Sequence, residues 1–542
     1  MAIALKNAIV YSTLGDCSVC GAPKSRACST CYVDFYCGRD HQKEDWARHK
    51  VGCGAVEVPE GKKWLVAARD IPAGTRIMRE VPAISFPKLP SGSEDGCLCR
   101  GCFTSVSSTS RCKSCGLPLC RQGCDPDGLH RAECALLEKA DFKSKVDKGV
   151  VKLGLHASYA LTVLRTYLWL NDHPQMHQVL ASNMDVDEAS LSEVAKAVWH
   201  YTRDWLLKEL GVLWIVENRL RRALLLAVRN HLLTHKEQPS KGYVMMSNVL
   251  LEQACQPNTF SVLSPLDTGL TQHVVLTARL VRRGERLSMD HLENSLMEEA
   301  QRRSYLRYSD MQCSCKLCSD PTRLGLHLNS WPCSHCKKGM AVPLPAVGEE
   351  EPDARCNNCH HLIPSTEMRA AKSGPLRRLD CLEKVAEKSP WAWAQFLQNE
   401  LTPVGALHPT HSIALRAKLH FIFAINFVDI SLERNEEELI RWEALIRDFL
   451  RTLEVLIPGH SCIRNRVLGP FVQVLFGRFL HLWNRDEPDA VCKVPLDEAD
   501  RLIKEMDVVV STYKEGQDTL KKIRMQHTMW SAALTMQFTA AP

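Results

Sequence analysis

The sequence predicts a multidomain α+β protein, with small β-rich and metal-bound parts first and an all-helical domain towards the C-terminal end. Three observations predict this. At 542 residues the chain is too long for a single hydrophobic core. Its 25 cysteines fall almost entirely in tight groups. From about residue 376 onward apolar residues recur at helical spacing, whereas short apolar runs around Pro/Gly turns stand near residues 64 and 275.

The cysteines carry the most information. Seven Cys-x2-Cys pairs occur: Cys17/Cys20, Cys28/Cys31, Cys99/Cys102, Cys112/Cys115, Cys315/Cys318, Cys333/Cys336 and Cys356/Cys359. A disulfide framework suits a small secreted fold, which this is not. Two thiolates three residues apart on a tight turn chelate one tetrahedral ion, so zinc is the expected partner. Cys97, Cys381, Cys462 and Cys492 lack such a neighbour and read as small core or surface residues. The net charge of +6 is spread along the chain, which allows acidic partners without indicating direct nucleic-acid binding. The first residues, Met1-Ala2-Ile3-Ala4-Leu5-Lys6, do not read as a signal peptide. No window approaches the ~18 uninterrupted apolar residues of a membrane span. The expectation is a soluble intracellular protein, in the nucleus or the cytoplasm, with no membrane partner.

Residues 17–53 hold the first array: Cys17-x2-Cys20-x7-Cys28-x2-Cys31-x5-Cys37-x3-His41-x7-His49-x3-Cys53. Eight N/S ligands make two four-coordinate sites, and a segment too small to bury a core draws its folding energy from the metal. The pattern resembles a MYND finger. That resemblance implies interleaved ligands: Cys17, Cys20, Cys37 and His41 on one ion, and Cys28, Cys31, His49 and Cys53 on the other. The family has cysteine where this chain has His41, and imidazole is also a zinc ligand. Tyr36, Gln42 and Trp46 match the family too, where the Gln and Trp line a shallow groove for short proline-containing peptides. The alternative is that Trp46 packs over the zinc sites.

Trp64 to Met78 reads as two short strands around a Pro/Gly turn, and Val275 to Leu287 is a near copy. Ala68/Ala278, Arg69/Arg279, Gly74/Gly284 and Arg76/Arg286 coincide, a similarity that shared β-hairpin chemistry would explain by itself. Between them lies a second eight-ligand array of Cys99, Cys102, Cys112, Cys115, Cys120, Cys124, His130 and Cys134. It lacks the Gln and Trp of the first and reads as structural. Together these features resemble the SET-and-MYND (SMYD) family of protein-lysine methyltransferases, in its arthropod SmydA-like branch with an extra N-terminal finger. The resemblance covers nearly the whole chain. It implies a split, β-rich SET fold and a C-terminal helical domain similar to tetratricopeptide repeats.

Between the arrays and the second strand unit, Ala157, Ala160, Leu161, Val163, Leu164, Tyr167, Leu168 and Leu170 recur at helical spacing, as do Trp205, Leu206, Leu210, Leu213 and Trp214, with a break at Asn171-Asp172-His173-Pro174. The resemblance makes this the family's helical insert beside the substrate cleft. Further on, Cys313, Cys315 and Cys318 offer three thiolates where a closed zinc site needs four. Cys255, the only cysteine between Cys134 and Cys313, is inferred to fold back as the fourth.

A SET domain moves a methyl group from S-adenosylmethionine (AdoMet) to a neutral lysine amine, mainly by positioning and electrostatics. Its signature Asn-His-Ser-Cys-x-Pro-Asn corresponds here to Glu252-Gln253-Ala254-Cys255-Gln256-Pro257-Asn258. The zinc half is intact and the cofactor half is replaced. In Gly284-Glu285-Arg286-Leu287-Ser288-Met289-Asp290-His291 the last residue stands where the family's catalytic Tyr would be, so His291 is the candidate catalytic residue. The family's Gly-x-Gly becomes Lys62-Lys63-Trp64, which makes Lys62, Trp64, Glu252 and Gln253 the candidate AdoMet positions. The tyrosine before the last zinc cysteines has only Tyr308 as a candidate, one place out of register.

Cys333, Cys336, Cys356 and Cys359 make a zinc-ribbon-like site around an acidic loop, with His335, His360 and His361 expected to face solvent. Lys372-Ser373-Gly374-Pro375 reads as a linker. Leu439, Trp442, Ile446, Phe449, Leu450 and Leu453 form the clearest helical stripe of the C-terminal part. The expected domains are 1–58, an N-terminal MYND finger; 59–96, SET strands; 97–140, an inserted MYND-like array; 141–240, a helical insert; 241–300, the SET core; 301–325, the post-SET zinc segment; 326–372, a ribbon; and 376–542, a helical domain. About six zinc ions follow from the 24 ligands named. Two functions fit: an adaptor with degenerate AdoMet motifs that binds proline-containing peptides through the finger, and an active AdoMet-dependent lysine methyltransferase acting on histones or other proteins.

Overall fold

A computed structural model of the chain describes residues 14–60, 62, 64–82, 84–87, 98–104, 106–107, 110–125, 128–148, 155–174, 187–212, 215–229, 231–233, 241–265, 271–291, 296, 298–309, 311, 313–344, 352–385, 388–401, 406–428, 435–511 and 514–539. It is a multidomain α+β protein that divides into two compact units. The first comprises Met1–Gln253, Leu263–Leu292 and Tyr305–Gln312, and the second comprises Ala254–Val262, Glu293–Ser304 and Cys313–Pro542.

In the first unit the N-terminal finger is a three-stranded antiparallel sheet, Leu14–Gly15, Ser25–Ala27 and Phe35–Tyr36, followed by the short helices Arg39–Glu44 and Trp46–Gly52. Beyond it, strand Arg76–Glu80 pairs antiparallel with Thr271–Thr277, setting Leu276 opposite Arg76 and His273 opposite Glu80. The two near copies in the sequence pair with each other. Ile71 and Val281 exchange backbone hydrogen bonds of 2.8 and 2.9 Å. Val66 lies opposite Arg286, and that pairing maps onto Leu276 opposite Arg76 when the copies are exchanged. The similarity is therefore more than shared hairpin chemistry: equivalent residues occupy equivalent places about a local two-fold axis. Gly74 and Gly284 both hold φ in the left-handed region, +75° and +78°, where a side chain is strained. Leu65, Ile71, Val275, Val281 and Leu287 meet in the core between the copies.

The insert contributes helices Leu155–Asp172, Glu193–Asp204 and Glu217–Arg229, and the second of these runs on into a π turn, Trp205–Glu209. The first helix stops at Asp172, where the Asn-Asp-His-Pro break was expected. Leu161, Leu164, Tyr167, Leu170, Trp205, Leu206 and Leu210 are buried together, as their spacing requires. The side chain of Ala157, and Leu213 and Trp214, lie outside the described residues.

In the second unit a four-stranded antiparallel meander, Trp331–Pro332, Met340–Pro343, Ala354–Cys356 and Leu362–Ile363, carries the ribbon cysteines. Helices Ser365–Val385, Pro390–Glu400, Ser412–Ala424, Glu436–Leu456, Cys462–Asn484, Asp489–Val510 and Lys514–Thr539 follow. The stripe Leu439, Trp442, Ile446, Phe449 and Leu453 is buried, and Leu450 packs against the same core. One expectation fails. Residues 372–375 are not a linker, because helix Ser365–Val385 runs through them with Pro375 inside it. Met368, Pro375 and Leu379 share one buried face of that helix, so packing on both sides of the proline outweighs the backbone hydrogen bond it removes. No described helix is long and apolar enough to cross a membrane.

Candidate functional site

A zinc ion with bonds of about 2.3 Å to four thiolates would hold their sulfurs about 3.8 Å apart. The structure brings ligand atoms together on that scale. Cys17, Cys20, Cys37 and His41 form one cluster, and Cys28, Cys31, His49 and Cys53 a second. Cys99, Cys102, Cys120 and Cys124 form a third, and Cys112, Cys115, His130 and Cys134 a fourth. Within each, every ligand atom lies within 4.8 Å of the others. Representative sulfur separations are 3.8 Å for Cys20–Cys37, 3.9 Å for Cys28–Cys53, 3.7 Å for Cys102–Cys120 and 3.7 Å for Cys112–Cys134. The ligands interleave in both arrays. The two histidines of the first array use different nitrogens: His41 turns Nδ1 to Cys17 and Cys37, whereas His49 turns Nε2 to Cys31.

Each array also holds a buried carboxylate on one ligand histidine. Asp34 Oδ2 lies 3.1 Å from His49 Nδ1, and Arg48 donates to its other oxygen at 2.8 Å. Glu133 Oε1 lies 3.2 Å from His130 Nδ1, and Arg165 Nε donates to Oε2 at 2.7 Å. Burial alone would raise both carboxyl pKa values. For Asp34 the hydrogen bond to His49 and the Arg48 and Arg76 guanidiniums reverse that, and for Glu133 Arg165 and then His130 do so, so both carboxyls sit below the usual range. His130 Nε2 is buried without a hydrogen-bond partner, which leaves it for the ion. Neither carboxylate was singled out from sequence. The spacing His130-x2-Glu133, one helical turn, was the available signal.

Cys255 joins Cys313, Cys315 and Cys318 in one cluster. The helix Glu299–Tyr308 contributes Arg302, whose buried Nε donates to Cys255 Sγ at 2.9 Å. That positive charge offsets part of the excess negative charge of a four-thiolate site. In the ribbon Cys333 lies 3.7 Å from Cys359 and Cys336 3.6 Å from Cys356. His335, His360 and His361 are exposed there, and His335 stacks on His361. The donor sets in all these places are those zinc takes.

The candidate AdoMet positions have a different character. Glu252–Gln253 is a two-residue strand paired parallel to Ser288–Met289. Gln253 Oε1 accepts from the His291 backbone N–H at 2.9 Å, and its Nε2 donates to Asp290 Oδ1 at 3.1 Å. Glu252 pairs with Arg286 at 3.2 Å. The Arg286 guanidinium lies 3.8 Å over the Trp64 ring, and Lys62 Nζ lies 5.4 Å from the same ring centroid. His291 is buried, with Nε2 3.3 Å from the Leu251 carbonyl oxygen. The Tyr308 side chain lies outside the described residues.

On the finger, Gln42 is half-buried and Trp46 is 50% exposed. Trp46 stacks against His49 with centroids 5.7 Å apart, so one face covers the metal ligand while half the side chain meets solvent. Tyr36 is buried, and its hydroxyl donates to Asp45 at 2.7 Å.

Two interleaved Cys/His arrays, one ahead of a split sheet and one inside it, define a protein with several zinc-type sites. The comparisons with known proteins agree. The MYND finger family profile matches residues 17–53. Isoform A of the SET domain-containing protein SmydA-8 of Drosophila melanogaster is 23% identical over 419 residues, 75% of this chain and 85% of that protein. Isoform B is 23% identical over 425 residues, 76% of this chain and 89% of its own length. A shorter stretch of 47 residues is 36% identical to mouse (Mus musculus) Egl nine homolog 1, covering 8% of this chain and 12% of that one. Residues 17–53 thus match a MYND finger, and about three quarters of the chain is similar to SmydA-8.

Proposed function

We propose that the chain is a regulatory adaptor on a lysine-methyltransferase scaffold, which binds proline-containing peptides through its N-terminal finger and has lost ordinary AdoMet chemistry. One observation carries this reading: the residues at the family's AdoMet positions are engaged by neighbouring side chains and backbone of this chain. The family's Asn becomes Glu252, which pairs with Arg286 at 3.2 Å. The Arg286 guanidinium and the Lys62 ammonium cover the Trp64 ring and take up space that AdoMet would need. Gln253 acts as a strut between Asp290 and His291. These residues do not fit AdoMet.

Half-exposed Trp46 beside Gln42 supplies the aromatic wall that a proline ring packs on. Reduced thiolates suit a reducing compartment, the nucleus or the cytoplasm. Calorimetry on zinc-loaded full-length protein tests the first half, with no AdoMet heat expected. Micromolar affinity, together with methyl transfer to a histone or other protein that disappears in His291→Ala, would establish the active enzyme instead. Buried His291 at the Tyr position is the feature such an enzyme would use.

A further inference from the structure

In both arrays a chain of contacts runs from a ligand histidine, through a buried carboxylate, to an arginine on an element outside the finger. In the first, Asp34 links His49 to Arg76, whose Nη1 lies 3.4 Å from Asp34 Oδ1 and which opens strand Arg76–Glu80. Two more arginines fasten the same finger. Arg79 lies 4.7 Å over Phe35, and Arg69 donates to the carbonyls of Lys50, Val51 and Cys53 at 2.9, 3.1 and 2.8 Å. In the second array, Glu133 links His130 to Arg165 in the middle of helix Leu155–Asp172. Arg165 also donates to the carbonyl of Arg100, the residue after ligand Cys99, at 2.8 Å, and to that of Ser85 in strand Ile84–Pro87 at 3.2 Å.

The two chains are not copies of one sequence motif. Asp34 lies in the turn after Cys31, whereas Glu133 sits on a helix between two ligands. The same chemistry has been built twice from different places, which singles out the chemistry as the requirement. We propose that Asp34 and Glu133 are positioning residues that couple zinc at the His49 and His130 sites to the seating of strand Arg76–Glu80 and helix Leu155–Asp172. The physical basis is a shared acceptor. A zinc-bound histidine keeps Nδ1–H pointed at the carboxylate, which fixes that carboxylate for the guanidinium. Without zinc the imidazole loses the bond that fixes its tautomer, and a buried carboxylate–arginine pair is held less firmly; at His49 the Tyr36 hydroxyl, 2.8 Å from Nδ1, shares that nitrogen with Asp34. By linkage, whatever the ion contributes to the neighbouring element, that element returns to zinc affinity.

The test uses full-length zinc-loaded protein titrated with a chelator, reading zinc released per chain and amide hydrogen exchange across 155–172 and 76–80. Glu133→Gln and Arg165→Met should each release one ion at a 10- to 100-fold lower chelator concentration, Arg165 acting on His130 through Glu133. Arg165→Lys, which keeps the charge and loses the fork, should recover part of that loss. Release of the His130-site ion should speed exchange in 155–172. Asp34→Asn should have the same effect on the His49 site and on 76–80. Retention within twofold of wild type in both Glu133→Gln and Arg165→Met overturns the proposal. So does wild-type zinc release that leaves exchange in 155–172 unchanged, a result that stands even if a variant does not fold.

Discussion

His411 shows how a single side chain can carry a pH dependence. It caps helix Ser412–Ala424 by accepting from the Ile413 N–H through Nδ1, and it packs on Trp331 with centroids 4.6 Å apart. Burial, with the positive charges of Lys372 and His408 added, lowers its pKa to about 3. It is therefore neutral when folded and takes a proton when unfolded below about pH 6.5. The sign follows: stability falls as pH drops below 6.5, by up to about 1.4 kcal/mol per pH unit, until the folded pKa is reached. Urea titrations at pH 7.5 and 6.0 should show this loss, and His411→Asn, which keeps the cap, should flatten it. A second prediction at this scale concerns the finger. Trp46→Ala should abolish binding of proline-containing peptides while costing about 1–3 kcal/mol of stability, from the half of that side chain packed on His49. Peptide binding unchanged in that variant would end the adaptor reading.

At the scale of elements, the two related hairpins show where sequence comparison was informative and where it stopped. Coincident Arg and Gly positions were legible, but shared hairpin chemistry accounted for them until Ile71 was found opposite Val281. Pairing across two hundred residues has no local signature. Gly284 has open space where a Cβ would stand, so Gly284→Ala tests backbone strain alone. It should cost about 1–2 kcal/mol in chemical denaturation, and Gly284→Asn distinctly less, because Asn tolerates the left-handed region. The misread linker at 372–375 is the converse case. Gly-Pro is a sound local signal for a break, and the burial of Met368 and Leu379 on either side overrode it.

For the whole molecule the governing quantity is metal. The described clusters and the ribbon cysteines account for about six ions per chain at one ion for every four ligands. Metal analysis of purified protein should return a number near six, and one near two would contradict the assignment. Because the fingers lack a core large enough to stand alone, exhaustive chelation should expose the apolar surface of the first unit and lower its unfolding midpoint sharply.

What the sequence determined by itself was the ligand list and the α+β class, because zinc chemistry and helical periodicity are written in short spacings that survive any change of context. Which groups stand behind the ligands was decided only by tertiary structure. Asp34 with Arg76, Glu133 with Arg165, Arg302 on Cys255 and Glu252 with Arg286 join residues 32 to 47 apart in the chain, some across separate elements. A charged pair buried or stacked at such a distance is specified by where two backbones happen to bring it. At the AdoMet positions, sequence reasoning registered four unusual residues. The fold added that Arg286, Asp290 and His291 engage three of them and Lys62 stands over Trp64, and the functional reading rests on that engagement.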